Sequence, residues 1–291
     1  MFINSITVLF SMVMDIIMYS LALAALLAGS INDIRTREVP DWLSYGLLGS
    51  ALGLRVLFSV VHADWIILIE GLAGFALFFV FGCIFYYSGQ WGGGDSKLLM
   101  GIGMLLGFDS SFQHIPQVVI FFIFSLFAGA AYGLAWVVVL FIRRFSRVRR
   151  EFARQYKPLR LYGIFSLLLS SALLLFSFSV PYSLLPFSIT VAFLPFTTFY
   201  LWLFVRSVEK VAFYKRISPY DLTEGDWIAN PIIVGGEQVV PSHGIGVTKR
   251  QIQKLHHLYD FGKISTVVIK QGIPFVPSFL LGLLLMIFFN F

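Results

Sequence analysis

Gln90-Trp91-Gly92-Gly93-Gly94-Asp95-Ser96-Lys97-Leu98-Leu99-Met100 runs three glycines into an aspartate and then into an apolar, helix-like segment. A carboxylate at the edge of a hydrophobic segment needs a reason, because a charge within a membrane costs at least a few kcal/mol and is usually functional. One reason is local: Asp95 caps a helix by accepting hydrogen bonds from the free N–H groups of its first turn. A second acid argues for more. Asp33 opens the stretch Asp33-Ile34-Arg35-Thr36-Arg37-Glu38-Val39-Pro40, and it too lies just past a hydrophobic span.

The chain has 291 residues, of which 58% are hydrophobic and 12% charged. A soluble domain carries roughly 25% charged residues. With 32 Phe and a mean hydropathy of +0.85, this is the composition of an integral membrane protein. The net charge of +6 does not point to nucleic acid, because the basic residues cluster between hydrophobic spans, as orientation in a bilayer requires. The single cysteine, Cys83, lies in an apolar run; it excludes an intramolecular disulfide and any cysteine-based zinc site, and reads as small core filler. No cleavable signal peptide is expected, since the amino-terminal stretch has no basic region and no clean small-residue cleavage site.

A helix crossing the bilayer core needs about 20 apolar residues. Seven runs approach that length, at roughly 12–31, 42–61, 65–87, 118–142, 161–180, 184–205 and 273–291. An eighth, from Lys97 to Phe108, covers only about 18 Å of a core about 30 Å thick. Either its helix continues through Asp109–Pro116, or its start is recessed in the bilayer and Asp95 lies in a wet pocket among helices. Gly103 and Gly107, with Gly101 nearby, would let it approach a neighbour closely. The expected fold is thus an all-α polytopic membrane protein of about eight transmembrane segments, one of them short, with a small cytoplasmic α/β module.

The expected organisation is a membrane core over 1–142 with both aspartates, a basic cytoplasmic loop over 143–160 and two further membrane segments over 161–205. The α/β module over 206–272 and the last helix over 273–291 follow. With the amino terminus outside, all of the 21 Lys and Arg except Arg55 fall on inner segments, while the outer connections carry Asp64 and Asp109. This charge distribution predicts a multi-pass plasma-membrane protein with Asp33 and Asp95 on the cytoplasmic side. In the module, Pro231–Val240 reads as a hairpin around Gly235-Gly236. Thr248-Lys249-Arg250-Gln251 reads as a capping box for a helix closed by Gly262, and Ile264–Ile269 as a strand. His243, His256 and His257 lack metal-ligand spacing with carboxylates or cysteines and read as surface residues.

Two carboxylates brought together at a membrane face share a proton and titrate as a pair. One then acts as base on a water while its protonated partner polarises a peptide carbonyl, the aspartic-protease arrangement. The glycines before Asp95 would let backbone approach an extended substrate strand. The spacing alone does not bring the two acids together. The alternative is a proton- or cation-coupled transporter using Asp33 and Asp95, since intramembrane acids and glycine-broken helices also mark ion pathways. Against it stand the absence of a visible internal repeat and the placement of both acids towards one face.

The chain resembles the type IV prepilin peptidases, in particular the archaeal branch of preflagellin (prearchaellin) peptidases, which are GxGD-type intramembrane aspartic proteases. Asp33 and Pro40, followed by Asp41 and Trp42, match the first catalytic element of that family. Gly92, Gly94, Asp95 and Lys97 match its GxGD-x-K element, and Ile273-Pro274-Phe275-Val276-Pro277 looks like its late Pro-Phe-x-Pro element. The resemblance implies that Asp33 and Asp95 are catalytic, and that membrane-inserted prepilin or prearchaellin precursors are cut where a short basic leader meets a hydrophobic helix. It implies no metal or organic cofactor and no nucleic-acid partner. The Cys-rich region linked to amino-terminal methylation in bacterial members has no counterpart in this sequence, so peptidase activity alone carries over. The presenilin branch of GxGD proteins fits less well: Asn32, not Tyr, precedes Asp33, and there is no late Pro-Ala-Leu.

Around the two acids, Gly92, Gly93, Gly94 and Pro40 are expected to shape the site. Lys97 either snorkels to the membrane surface or helps set the shared charge of the pair. Glu38 and Asp41, interleaved with Arg35 and Arg37, form either a solvated mixed-charge loop or the receptor for a basic leader.

Overall fold

The computed structural model describes residues 2–109, 115–240 and 246–289, with side chains from residue 12 onward except at 237. Its elements in order are helices α1 (Phe2–Thr36), α2 (Asp41–His62), α3 (Ile66–Tyr87), α4 (Gly93–Leu106), α5 (Gln117–Arg143), α6 (Phe145–Ser177) and α7 (Leu185–Ala212). Strands β1 (Tyr214–Ile217), β2 (Trp227–Ile228), β3 (Ile232–Val234) and β4 (Glu237–Val240) follow, then helix α8 (Lys249–Asp260), strand β5 (Val267–Lys270) and helix α9 (Val276–Phe288). Among the described residues, α1, α2, α3, α5, α6 and α7 are the 6 helices long and apolar enough to cross a membrane.

The remaining two apolar segments are short helices of 14 residues in α4 and 13 residues in α9. The final segment is therefore shorter than its hydropathy suggests, because the Pro-containing stretch 273–275 stays outside the helix and Pro277 enters its first turn. For α4 the two sequence options separate clearly: the helix stops at Leu106, and Gly107 adopts φ +70° as its terminus. Gly107 is thus a turn glycine. Gly103 does pack on a neighbour, since a methyl group there would lie 2.5 Å from the Gly74 carbonyl oxygen of α3.

The basic stretch 143–160 is not a loop. Arg143 ends α5, and from Phe145 onward the stretch forms the first half of α6, consistent with the helix propensity of Arg, Lys, Gln and Glu once an apolar continuation supplies length. Glu151 lies 3.6 Å from Arg154 and 3.7 Å from Lys210.

The chain divides into two compact units. The first comprises Met1–Gly133, Pro219–Ile264 and Gly272–Phe291, and the second Leu134–Ser218 and Ser265–Gln271. Residues 206–272 therefore do not form one module, and 206–212 belong to α7. Within the first unit, β3 and β4 form the expected antiparallel hairpin, turned by Gly235 and Gly236 at φ 62° and 86°. Thr248 caps α8: its Oγ1 accepts the Gln251 N–H at 3.4 Å, and its own N–H donates to Gln251 Oε1 at 2.9 Å. Gly262, at φ 68°, follows the helix end as expected. Within the second unit, β1 pairs antiparallel with β5, which begins at Val267 rather than Ile264. His256 Nε2–H donates to the Pro219 carbonyl at 2.9 Å and its ring stacks on Tyr220, while His257 contacts the Phe261 ring. His243 lies outside the described residues. Among the described residues no group of His, Cys, Asp and Glu is arranged to hold a metal ion.

The core of the first unit is built around α4. Leu98, Leu99 and Ile102 have no exposed surface, and α1, α2 and α3 all contact the helix. Phe78, Phe121 and Phe279, from α3, α5 and α9, join the same core, with Phe121 packed on both other rings. A short helix buried on every side must be apolar along its length, with polar groups confined to its ends. The sequence of α4 has that pattern, and the two ends carry the chemistry.

Candidate active site

Asp33 occupies the last turn of α1 and is only 4% exposed. Its Oδ2 accepts the Val276 N–H at 2.9 Å, and the Phe275 N–H is also directed at this carboxylate. These are free donors of the first turn of α9, so a negative charge from α1 sits at the positive end of a helix dipole. The Pro-Phe-Val-Pro stretch acquires a physical role from this contact. Pro277 occupies an early helical position where its missing N–H leaves no bond unmade, and the preceding donors go to Asp33.

Asp95 is arranged in the same way on α4. It lies in the first turn, and its Oδ2 accepts the Gly92 N–H at 3.1 Å, half of a capping box whose other half a glycine cannot make. Ser96, buried beside it, donates to the Gly82 carbonyl of α3 at 3.1 Å and fixes the rotation of the helix. Two short helices therefore begin at the two aspartates, and their positive ends converge there.

Two clamps bring these ends together. On one side the Trp91 ring, 5% exposed, lies 4.2 Å from Phe85, 5.0 Å from Phe275 and 5.3 Å from Phe279 between ring centroids. This ties the entrance of α4 to the entrance of α9. On the other side Gly94 lies on Val39: a methyl group at 94 would fall 2.8 Å from Val39 Cβ and 3.0 Å from its carbonyl oxygen. The close approach expected of this glycine is thus used by the chain's own Asp33–Pro40 segment. Held in this way, Asp33 and Asp95 are within range for their charges to interact.

The other sequence candidates fall around this pair. Pro40 is the residue before α2, and Asp41 begins it. Lys97 Nζ lies 2.6 Å from Asp41 Oδ1 and 5.0 Å from the centre of the Tyr45 ring, so its ammonium group is held by α2. Gly93 faces the Tyr86 ring, at an ordinary contact distance for a methyl group, and Glu38 is exposed.

Sequence reasoning missed four residues. Trp91 borders the glycine run, where an aromatic among small residues was the available signal. Arg37, at the end of α1, adopts φ 63° and donates to the Gly272 carbonyl, joining the Asp33 segment to the strand of chain ahead of α9. Tyr132 of α5 lies close enough to Asp33 and Arg37 to interact electrostatically, and nothing in its sequence context marks it. Arg55, recognised only as the exception to the charge pattern, is the fourth. It is 4% exposed at the far end of α4, where it donates to the carbonyls of Met104 at 3.1 Å, Leu105 at 2.7 Å and Ile67 at 3.0 Å. A cavity of about 800 Å³ adjoins it, lined in part by Asp15, Tyr19, Glu70 and Asp109.

Residues 20–134 match the sequence profile of the type IV leader peptidase family. The preflagellin peptidase of Methanococcus maripaludis is 33% identical over 88 residues, covering 30% of this chain and 38% of that protein. The preflagellin peptidase of Methanococcus voltae is 33% identical over 90 residues, 31% of this chain and 38% of that protein. That of Methanocaldococcus jannaschii is 32% identical over 91 residues, with 31% and 38% covered. The chain thus spans about two fifths of the length of these curated relatives. No solved structure matches it. The matched segment runs from within α1 into α5 and contains Asp33, the glycine run and Asp95; over residues 20–134 the chain is similar to the type IV leader peptidase family.

Proposed function

We propose that the protein is a membrane-embedded aspartic endopeptidase that removes the short basic leader from type IV pilin-like or archaellin precursors at the cytoplasmic face. The observation that carries this reading is that Asp33 and Asp95, at the entrances of α9 and α4, are close enough for their charges to interact, inside the segment matched to the leader peptidases. Like charges so placed hold one proton between them. A water bound to the pair loses a proton to the ionised carboxylate, and its oxygen bonds to the scissile carbonyl carbon. The protonated partner simultaneously gives its proton to the carbonyl oxygen. The tetrahedral diol collapses as the carboxyl proton passes to the amide nitrogen and a diol hydroxyl returns its proton to the other carboxylate; the C–N bond breaks, and the pair again holds one proton. The two helix entrances favour negative charge at this position throughout. The cytoplasmic placement is supported by the segregation of Lys and Arg, and membrane-inserted precursors are supported by the names of the relatives.

The test uses the purified full chain and a synthetic precursor peptide carrying a leader and a hydrophobic helix. Asp33→Asn and Asp95→Asn should each lower kcat/KM by at least about a thousandfold, and the double variant should be little worse than either, because the two groups act as a unit. Appreciable turnover by either folded single variant would falsify the assignment.

A further inference from the structure

The Lys97–Asp41 contact has the form of an occupied receptor. A carboxylate and an aromatic face together hold an ammonium group, at 2.6 Å from Asp41 Oδ1 and 5.0 Å from the Tyr45 ring centre. Both charged side chains reach solvent, at 36% exposure for Lys97 and 66% for Asp41, so the occupant can exchange without leaving a charge buried. An exposed pair of this kind adds little to stability, and Lys97 has a second place to go, since its long stem lets the ammonium group reach the membrane surface.

The position of this receptor is as informative as its composition. Asp41 is the first residue of α2 and follows Val39-Pro40, whose backbone lies against Gly94. Lys97 lies two residues beyond Asp95 in α4. The ion pair therefore bridges the two segments that carry the two aspartates, at the exposed edge of the site.

We infer that Asp41 and the Tyr45 ring form the subsite for the positively charged side chain of the leader, and that Lys97 is a built-in occupant which the leader displaces. This rests on the leader-peptidase reading above. A segment flanking the cytoplasmic end of a membrane helix is enriched in Lys and Arg, and cleavage at that boundary brings such a side chain to the edge of the site. On binding, the leader cation replaces one ammonium–carboxylate contact with another, so Asp41 remains paired before and after. Lys97 competes with substrate and lowers the affinity for basic leaders.

The two halves of the pair consequently have opposite effects, which neither a structural ion pair nor a lysine tuning the catalytic acids would produce. The experiment compares two precursor peptides that differ only in whether the leader's basic residue is replaced by Gln, and reads the ratio of their kcat/KM values for each variant of the purified full chain. Within each ratio a general loss of activity cancels. Wild type should prefer the basic leader. Lys97→Met, which leaves Asp41 open, should raise the ratio by roughly two- to fivefold, and Asp41→Asn should bring it close to one. The Asp41→Asn/Lys97→Met double variant should follow Asp41→Asn, and Asp41→Glu should retain the preference and show that the position tolerates change. A ratio in Lys97→Met at or below that of wild type, or an undiminished ratio in Asp41→Asn, overturns the proposal. Equal cleavage of both leaders by wild type overturns the subsite while leaving the peptidase reading in place; cleavage of neither overturns the peptidase reading itself.

Discussion

At position 94 the site depends on the absence of a single methyl group. The Val39 backbone occupies the volume that a Cβ would need, and Val39 belongs to the stretch that follows Asp33. Gly94→Ala must therefore push the Asp33-bearing segment away from the one bearing Asp95. Overpacking of this kind usually destabilises by about 1–3 kcal/mol, so the melting temperature of the purified protein should fall, and leader cleavage should fall further than the stability loss explains. Gly93→Ala, whose new methyl group would meet the Tyr86 ring at 3.5 Å, should be the milder change on both measurements. Equal effects at 93 and 94 would show that contact with Val39 does not set the separation of the two acids. The glycine run was legible as a feature of the site, but the partner that makes one of its members indispensable lies on another segment. No local pattern around residue 94 names Val39.

α4 carries Asp95 and Lys97 near its start and no charged residue beyond them. At its far end the last carbonyls have no helical partners, and in a membrane interior each unmet group costs several kcal/mol. Arg55 meets this need from α2, placing a cation at the negative end of the dipole and donating hydrogen bonds to three carbonyl oxygens. Its guanidinium packs against Gly107, whose φ of +70° turns the chain away, and the Phe108 N–H then donates to the Glu70 carbonyl of α3 at 2.9 Å. Arg55→Met removes the donors and leaves the acceptors buried, for an expected loss of about 3–5 kcal/mol, measured as a lower unfolding temperature in detergent. Arg55→Lys, with one compact cationic head in place of a planar fork, should recover only part of it. A fully stable Arg55→Met protein would mean that water reaches these carbonyls. The sequence made it plain that a charge at 55 violated the orientation pattern. It did not disclose the purpose, because the acceptors lie on α3 and α4 and become unpaired only when α4 stops short. The elements themselves were largely readable: hydropathy located every apolar helix, and the Gly-Gly hairpin and the Thr248 cap lay where turn and capping chemistry put them. The α6 extension was hidden because a run of arginines is compatible with either loop or helix until its neighbours fix its length.

At the scale of the molecule, six long helices among the described residues can cross a membrane, and the elements that begin at the two aspartates are not among them. At about 1.5 Å per residue, α4 and α9 each extend only about 20 Å, against a hydrocarbon core about 30 Å thick. Both start at the same place in the first unit, so their shortfall is not averaged out around the protein. α4 is enclosed by other helices, but α9 leaves Leu281, Leu284 and Phe288 exposed, so the shortfall of α9 would produce a local hydrophobic mismatch, which a bilayer relieves by thinning. A hydrolase needs water, and a substrate helix needs its end exposed as extended chain before a carbonyl can be attacked. On the leader-peptidase reading proposed above, the lipid beside α9 would become part of the catalytic apparatus. Reconstituted into vesicles of one headgroup and increasing acyl length, from about 14 to about 22 carbons, the protein should lose leader-cleaving activity as the mismatch grows, with most of the change in kcat and with folding intact by thermal unfolding. Activity indifferent to bilayer thickness would show that the shortness of α9 does not matter to the site and return the supply of water to the protein alone.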